Sequence, residues 1–218
     1  LVETLIQTLL QSYIYFFNRQ SEFWAAVKDH LLLAGIAIGI AVVICVPLGI
    51  WTARSRFASL TLLNLVNGLR VIPSLAVLFL IIPYLGLTST SAIVALTILA
   101  MPPVLINTDA AFRTLEPAII EAARGMGMSS FQRLFKVEFP LAVPVILTGI
   151  RISAVDVIAS ATLAAFVGSG GLGIYITRGF ALYDYSILFV GAIPVALITL
   201  LVEGMLALLQ KTLQPIKT

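Results

Sequence analysis

The chain has 218 residues, of which 60% are hydrophobic and 11% are charged, with a mean hydropathy of +1.09. An ordinary soluble domain carries roughly 25% charged residues, so this chain has too little polar surface for water and reads as a membrane protein. The net charge of +3 includes no basic run, which argues against nucleic acid as a partner, and one cysteine (Cys45) with one histidine (His30) excludes an internal disulfide and a Cys/His metal cluster.

Residues 1–17 (LVETLIQTLLQSYIYFF) lack the basic n-region and small-residue cleavage site of a signal peptide, and the sequence starts without Met. Glu3, Gln7 and Gln11 recur every four positions, which predicts an amphipathic helix at the membrane surface or a partial extra span. Residues 1–30 are read as an interfacial segment, with His30 as an interfacial side chain. A spanning helix needs about 20 mostly apolar residues. Leu31–Ala53 carries no charge and forms the first predicted span. Val71–Thr108 is uncharged but too long for one helix, and Pro83-Tyr84-Leu85-Gly86 followed by Thr88-Ser89-Thr90-Ser91 marks a turn within it. One span is therefore predicted over about Leu60–Tyr84 and another over about Ser91–Asn107. Leu141–Val167, interrupted by Arg151 and Asp156, makes a fourth, and Ser186–Leu209 a fifth. Residues 31–210 then form one all-α, polytopic membrane domain, and 211–218 a tail.

Lys and Arg set the orientation. Five spans put Arg54, Arg56, Arg113, Arg124, Arg133, Lys136, Lys211 and Lys217 on one side, against Arg19, Lys28 and Arg178 on the other. The first side is expected to be cytoplasmic and the N-terminus external.

Between the third and fourth spans lies a polar, Gly-punctuated island within residues 114–140: EAARGMGMSSFQRLFKVEFP from Glu121 to Pro140. Pro117 suits the first turn of a helix, and Gly125 and Gly127 can end it and reverse the chain. Ser129 and Gln132 have capping-box spacing, predicting a second short helix through Lys136. Phe131, Leu134 and Phe135 give it an apolar stripe, and Pro140 opens the next span. Ala122, Ala123 and Gly127 keep the surface low, while Glu121, Arg124 and Arg133 are placed to pair with the rim of a partner's cleft.

Glu121-Ala122-Ala123, Gly127 four residues beyond, and Val137-Glu138-Phe139-Pro140 resemble the cytoplasmic "EAA" loop of the membrane-spanning subunits of bacterial ABC importers, with Val137 for the usual Ile and Phe139 for the usual Leu. Arg70-Val71-Ile72-Pro73-Ser74-Leu75-Ala76, the FPLAVPVILTGIR stretch to Arg151, and Ala165–Gly173 look like permeases of osmoprotectant importers. The resemblance implies a type I importer permease in the bacterial cytoplasmic membrane that translocates glycine betaine, choline, carnitine or a related quaternary amine by alternating access. It also implies a second permease in a homodimer or a close heterodimer, two ATP-binding subunits carrying ATP and Mg, and an external or fused substrate-binding protein. An importer for another small polar solute (a methionine-type amino acid or ergothioneine) is the alternative, and a stand-alone channel a distant one.

No Gly-Lys-Ser/Thr P-loop is present, so ATP is expected on another chain and no cofactor on this one. Gly168–Gly173 fits G-x-G-x-x-G but follows a membrane span rather than a strand, so it is read as an outer loop with a gating or structural role. No His-Glu-x-x-His or Gly-x-Ser-x-Gly occurs, which argues against an intramembrane enzyme. Charges at membrane depth usually face a bundle interior or a watery path. Asp156 is a candidate for a cationic solute or a structural partner, and Arg70 and Arg151 are read as snorkelling toward the interface. Asp109 and Arg113, four apart, are read as a helix-surface pair. Arg70, Pro73, Ser74, Asp156, Gly168, Gly170 and Gly171 are the candidate path or gate residues, and kinks are expected at Pro47, Pro73, Pro102, Pro103 and Pro144.

Overall fold

A computed structural model describes residues 2–213, so Lys217 and most of the predicted tail lie outside the described residues. In chain order the helices are α1 (Val2–Asn18), α2 (Gln20–Arg54), α3 (Arg56–Leu69), α4 (Ser74–Leu85), α5 (Ser89–Arg113), α6 (Pro117–Gly125) and α7 (Ser130–Arg133). A π-helical segment (Leu134–Glu138) leads into α8 (Phe139–Ser160), a 3-10 segment (Ala161–Val167), α9 (Gly173–Ala181) and α10 (Tyr185–Leu213). The all-α, polytopic expectation holds: four helical stretches are long and apolar enough to cross a membrane, and α3 with α4 makes a fifth if the bent pair is one span.

The centre is α5, which packs along both α2 and α8. Alanines dominate the contact: Ala34, Ala37 and Ala41 from α2 share one buried cluster with Ala92, Ala95 and Ala100 from α5. Lipid gives apolar side chains little drive to associate, so small residues matter because they let backbones approach and pack. A Cβ on Gly149 of α8 would lie 2.6 Å from the Pro103 carbonyl oxygen, and one on Gly49 of α2 would lie 2.5 Å from the Thr108 Cβ. The three helices thus meet backbone to backbone. Around them, α10 leans on α8 and α9, and α1 lies against α10. The outward side chains Leu200, Leu201, Met205 and Leu208 of α10 are exposed, as a lipid-facing surface requires. Trp24 and Trp51, also exposed, sit near opposite ends of α2, where interfacial aromatic anchors belong.

Several sequence-based boundaries change. The predicted span over Leu60–Tyr84 is two helices bent by 97°. Pro73 disfavours helical backbone at Ile72. Helix α3 closes with Val71 N–H to Gly68 O and Ile72 N–H to Leu69 O, each 3.2 Å, and α4 restarts from an extended Pro73 (φ −56°, ψ 137°). The first long helix starts at Gln20 rather than Leu31, because Phe23, Ala26 and His30 are buried against the rest of the bundle. The amphipathic helix is only α1, and its Ser12 hydroxyl donates to the Ser186 carbonyl at 2.8 Å. The third span runs over Ser89–Arg113, and the α-helix of the fourth stops at Ser160, before the 3-10 turns to Val167.

His30, read as an interfacial side chain, is fully buried within the bundle. Its Nε2 is 3.0 Å from the Ile158 carbonyl oxygen of α8. Arg151 is held by its own chain: it forms an ion pair with Glu203 of α10 and donates to the Gln210 side-chain oxygen at 2.5 Å. Gln210 in turn donates to the Pro144 carbonyl at 2.8 Å and the Thr148 hydroxyl at 2.7 Å, so polar groups tie α8 to α10. Asp109 and Arg113 do pair, but Asp109 is buried rather than on the helix surface, and Arg113 also donates to the Thr52 carbonyl at 3.0 Å and the Ser59 hydroxyl at 2.9 Å. One arginine therefore joins α5 to the end of α2 and the start of α3.

Candidate functional site

The bend between α3 and α4 opens a cavity of about 410 Å³ against α5 and α8. Arg70, Val71, Ile72, Pro73 and Ser74 line one side, Leu99 and Pro103 the second, and Asp156, Ala159 and Ser160 the third. Four of the predicted path residues, Arg70, Pro73, Ser74 and Asp156, thus share one space. The helix break is what places them there: a straight helix through residues 70–73 would turn these side chains around its axis. The cavity has opposite charges on facing walls and lies within the ~300–1,000 Å³ range of small-molecule sites. Asp156 also lines a second cavity of about 300 Å³ with Arg151 and Glu203. It stands on an exposed face of α8 with Ile152 and Ala159.

Gly168, Gly170 and Gly171, grouped with these residues by sequence, lie elsewhere. Gly170 and Gly171 pack on the first third of α2, where Gly170 approaches the Asp29 carboxylate and Gly171 the His30 ring, while a Cβ at Gly168 would meet open space. Gly171 has φ +81°, in the left-handed region that side chains avoid. A Cβ there would also sit 3.3 Å from His30 Nδ1. At Gly170 and Gly171 the loop packs closely on α2, and none of its residues lines the Arg70 cavity.

At the opposite end of the bundle, residues 114–140 form a compact projection. Pro117 starts α6 as expected. The helix ends in a turn with Gly127 at φ +76°, Gly127 N–H to Arg124 O at 2.9 Å and Met128 N–H to Ala123 O at 3.2 Å. The Ser129–Gln132 capping box is formed in both directions. Glu121, Ala122, Arg124 and Gly127 face outward, but Ala123 is buried against its own chain and offers no surface to a partner. Phe131 and Phe135 are exposed, and their rings pack together at a 47° tilt with centroids 4.5 Å apart.

The second helix is not a separate rod ending at Lys136. It runs through the π segment into α8, with Pro140 in the first turn of that helix. A π turn brings residues five apart onto one face, and this register sets Arg133 over Glu138. Arg133 Nε and Arg54 Nη2 each donate to the Glu138 carboxylate at 2.7 Å. Arg133 is therefore committed within the chain rather than free for a partner's rim. Glu138, only 5% exposed, is the residue that sequence reasoning missed. It bolts the projection and the start of α8 to the end of α2. Its only sequence signal is the i,i+5 spacing from Arg133, which α-helical reasoning discards.

The family model "Binding-protein-dependent transport system inner membrane component" matches residues 45–215. The chain belongs to that family. This inner membrane component is similar to the carnitine transport permease protein OpuCB of Listeria monocytogenes, at 42% identity over 187 residues covering 86% of each chain. It is similar to the choline transport system permease protein OpuBB of Bacillus subtilis (strain 168), at 38% identity with the same coverage. The osmoprotectant import permease protein OsmW of Salmonella typhimurium is 36% identical over 192 residues, 86% of this chain and 89% of that one. Among solved structures, the inward-facing methionine ABC transporter MetNI superposes with a TM-score of 0.79 at 23% identity, over 90% of this chain and 98% of that one. That likeness carries the fold. The inner membrane component is thus an ABC importer permease, and the projection over residues 114–140 falls inside the matched region.

Proposed function

We propose that the chain translocates quaternary-amine osmoprotectants of the glycine betaine, choline and carnitine class through the space lined by Arg70, Pro73, Ser74 and Asp156. The observation that carries this reading is the 42% identity, over 86% of both chains, to a carnitine permease. The chain contributes the path and the coupling element, while ATP and Mg act on two separate ATP-binding subunits and no cofactor binds here. The projection bearing Glu121, Ala122, Arg124, Gly127, Phe131 and Phe135 seats in a cleft of each ATPase, with the paired phenylalanines as its apolar anchor. Closure of the ATPases on ATP displaces it, and the rigid continuation through Glu138 into α8 carries the displacement to the cavity wall. The nucleotide shifts the conformational equilibrium only through contacts that differ between the two states.

A second copy of this chain closes the exposed α8 face that carries Ile152, Asp156 and Ala159. The end bearing Arg54, Arg56, Arg113, Arg124, Arg133, Lys136 and Lys211 is cytoplasmic, and the end bearing Arg19, Lys28 and Arg178, with the Gly168–Gly173 loop, receives the substrate-binding protein. The test is ATP-dependent uptake of labelled glycine betaine, carnitine and choline by the complete complex in proteoliposomes. Uptake of at least one, abolished without ATP or without the binding protein, is expected. A complex that imports an amino acid but no quaternary amine overturns the substrate class.

A further inference from the structure

Five arginines are neutralised within the chain. The ion pairs among the described residues commit Arg19, Arg54, Arg113, Arg133 and Arg151 to Glu22, Glu138, Asp109 and Glu203. Arg70 and Asp156 are different. They bear opposite charges, face one cavity from different helices, and neither enters an ion pair among the described residues. Both are exposed on this chain, and opposite charges held beyond ion-pair distance across a cavity are suited to a guest that bridges them.

The backbone polarises the cavity in the same sense. Pro103 has no N–H, so the Leu99 carbonyl loses its α-helical donor, and both residues line the cavity beside Asp156. Helix α4 begins at Ser74 next to Arg70, and a helix start favours negative charge. One wall is therefore electropositive and the other electronegative. No aromatic side chain of this chain lines the space, so this chain alone supplies no cation–π cage there.

Resting on the importer reading above, we infer that Arg70 and Asp156 form a two-ended transit site for zwitterions, with Arg70 taking the carboxylate and Asp156 with the Leu99 carbonyl taking the ammonium group. A simple cation satisfies only one end and leaves Arg70 unanswered. The permease then adds its own discrimination between carboxylate-bearing and purely cationic solutes, beyond that of the binding protein. With no aromatic cage from this chain, the site binds weakly and releases readily.

The test compares initial uptake of glycine betaine and carnitine, which are zwitterions, with choline, a cation, by the assembled complex. Arg70→Gln is expected to lower the zwitterion-to-cation uptake ratio about tenfold, the scale of one hydrogen bond to a charged group. Arg70→Lys restores most of that ratio, and Asp156→Asn depresses both solute types. A ratio unchanged in Arg70→Gln overturns the inference while leaving the importer reading intact. If the wild-type complex imports no quaternary amine but imports methionine with the same Arg70 dependence, the substrate proposal falls and the two-ended site stands. A transport-independent measurement uses Ser160→Cys with Cys45→Ala. Glycine betaine at high concentration should slow thiol alkylation at position 160 in the native Arg70 background but not with Arg70→Gln. Equal alkylation rates with and without betaine in the native background also overturn the inference.

Discussion

Glu138→Gln removes one negative charge and almost no volume from the junction between the projection and the bundle. Both carboxylate oxygens are in use at 2.7 Å, and the residue is 5% exposed. The two arginines are not equivalent: the Arg133 side chain is 13% exposed and Arg54 46%. Removing one partner from a fully buried pair costs about 3–5 kcal/mol, but Gln still accepts one hydrogen bond. Loss of the charge opposite Arg133 then costs about 2 kcal/mol, on the scale of a hydrogen bond to a charged group. The half-exposed Arg54 limb adds less than ~1 kcal/mol. The sum, about 2–3 kcal/mol, corresponds to a melting-temperature drop of roughly 4–12 °C for a chain of this size. The measurement is thermal denaturation of the purified complex beside uptake and ATP hydrolysis. Uptake should fall further than ATP hydrolysis, because α8 is no longer bolted to the element that moves. Arg133→Met with Glu138→Met, which removes both charges of the buried limb, should be milder than Glu138→Met alone. A Glu138→Gln complex with native melting temperature and native uptake per ATP hydrolysed would refute the mechanical role.

Three further outcomes test other parts of the structure. Phe131→Asp should leave the permease folded and dimeric, since the ring is 71% exposed, yet strip the ATPase during copurification; retention of the ATPase argues against the docking assignment. Gly149→Val should lower the melting temperature by the equivalent of about 1–3 kcal/mol or more, because its side chain enters the Pro103 and Asn107 contacts, and a native melting curve would contradict backbone-level packing of α5 on α8. Gly171→Ala should cost roughly 1–2 kcal/mol from its left-handed backbone alone, read in the same assay, with the His30 contact adding to it.

Hydrophobic run length located the spans because a bilayer imposes a minimum length on any helix that crosses it. Local spacing also carried the Asp109–Arg113 pair, the Ser129–Gln132 capping box and the Gly127 turn, since each depends on residues within four positions of one another. Three features were hidden for different reasons. The bend at residues 70–73 lies in an apolar run, where hydropathy is blind to helix continuity and Pro73 was the only signal. His30 meets Ile158 across 128 positions, and Arg151 meets Glu203 across 52, so nothing near either residue in sequence announces its partner. The Arg133–Glu138 contact follows a π register, which a period of 3.6 residues does not sample. Of the candidate path residues, those flanking the bend and Asp156 meet in one cavity, whereas the glycines do not join them because α2 intervenes as their packing partner.

The glycine contacts at Gly49 and Gly149 limit which helices can slide. Ridges of backbone interlocked at this distance cannot shift past each other by even half a turn without collision, so α2, α5 and α8 travel as a single slab. Relative motion is left to the pieces hinged onto that slab, foremost α3 and α4 on either side of their 97° corner. Spin labels paired within the slab should keep one distance distribution through the ATP cycle, while a label on α4 measured against α8 should show two. On this view the permease works less like a bundle that breathes than like a rigid wall, driven as one piece through the projection, with a folding door hinged on it.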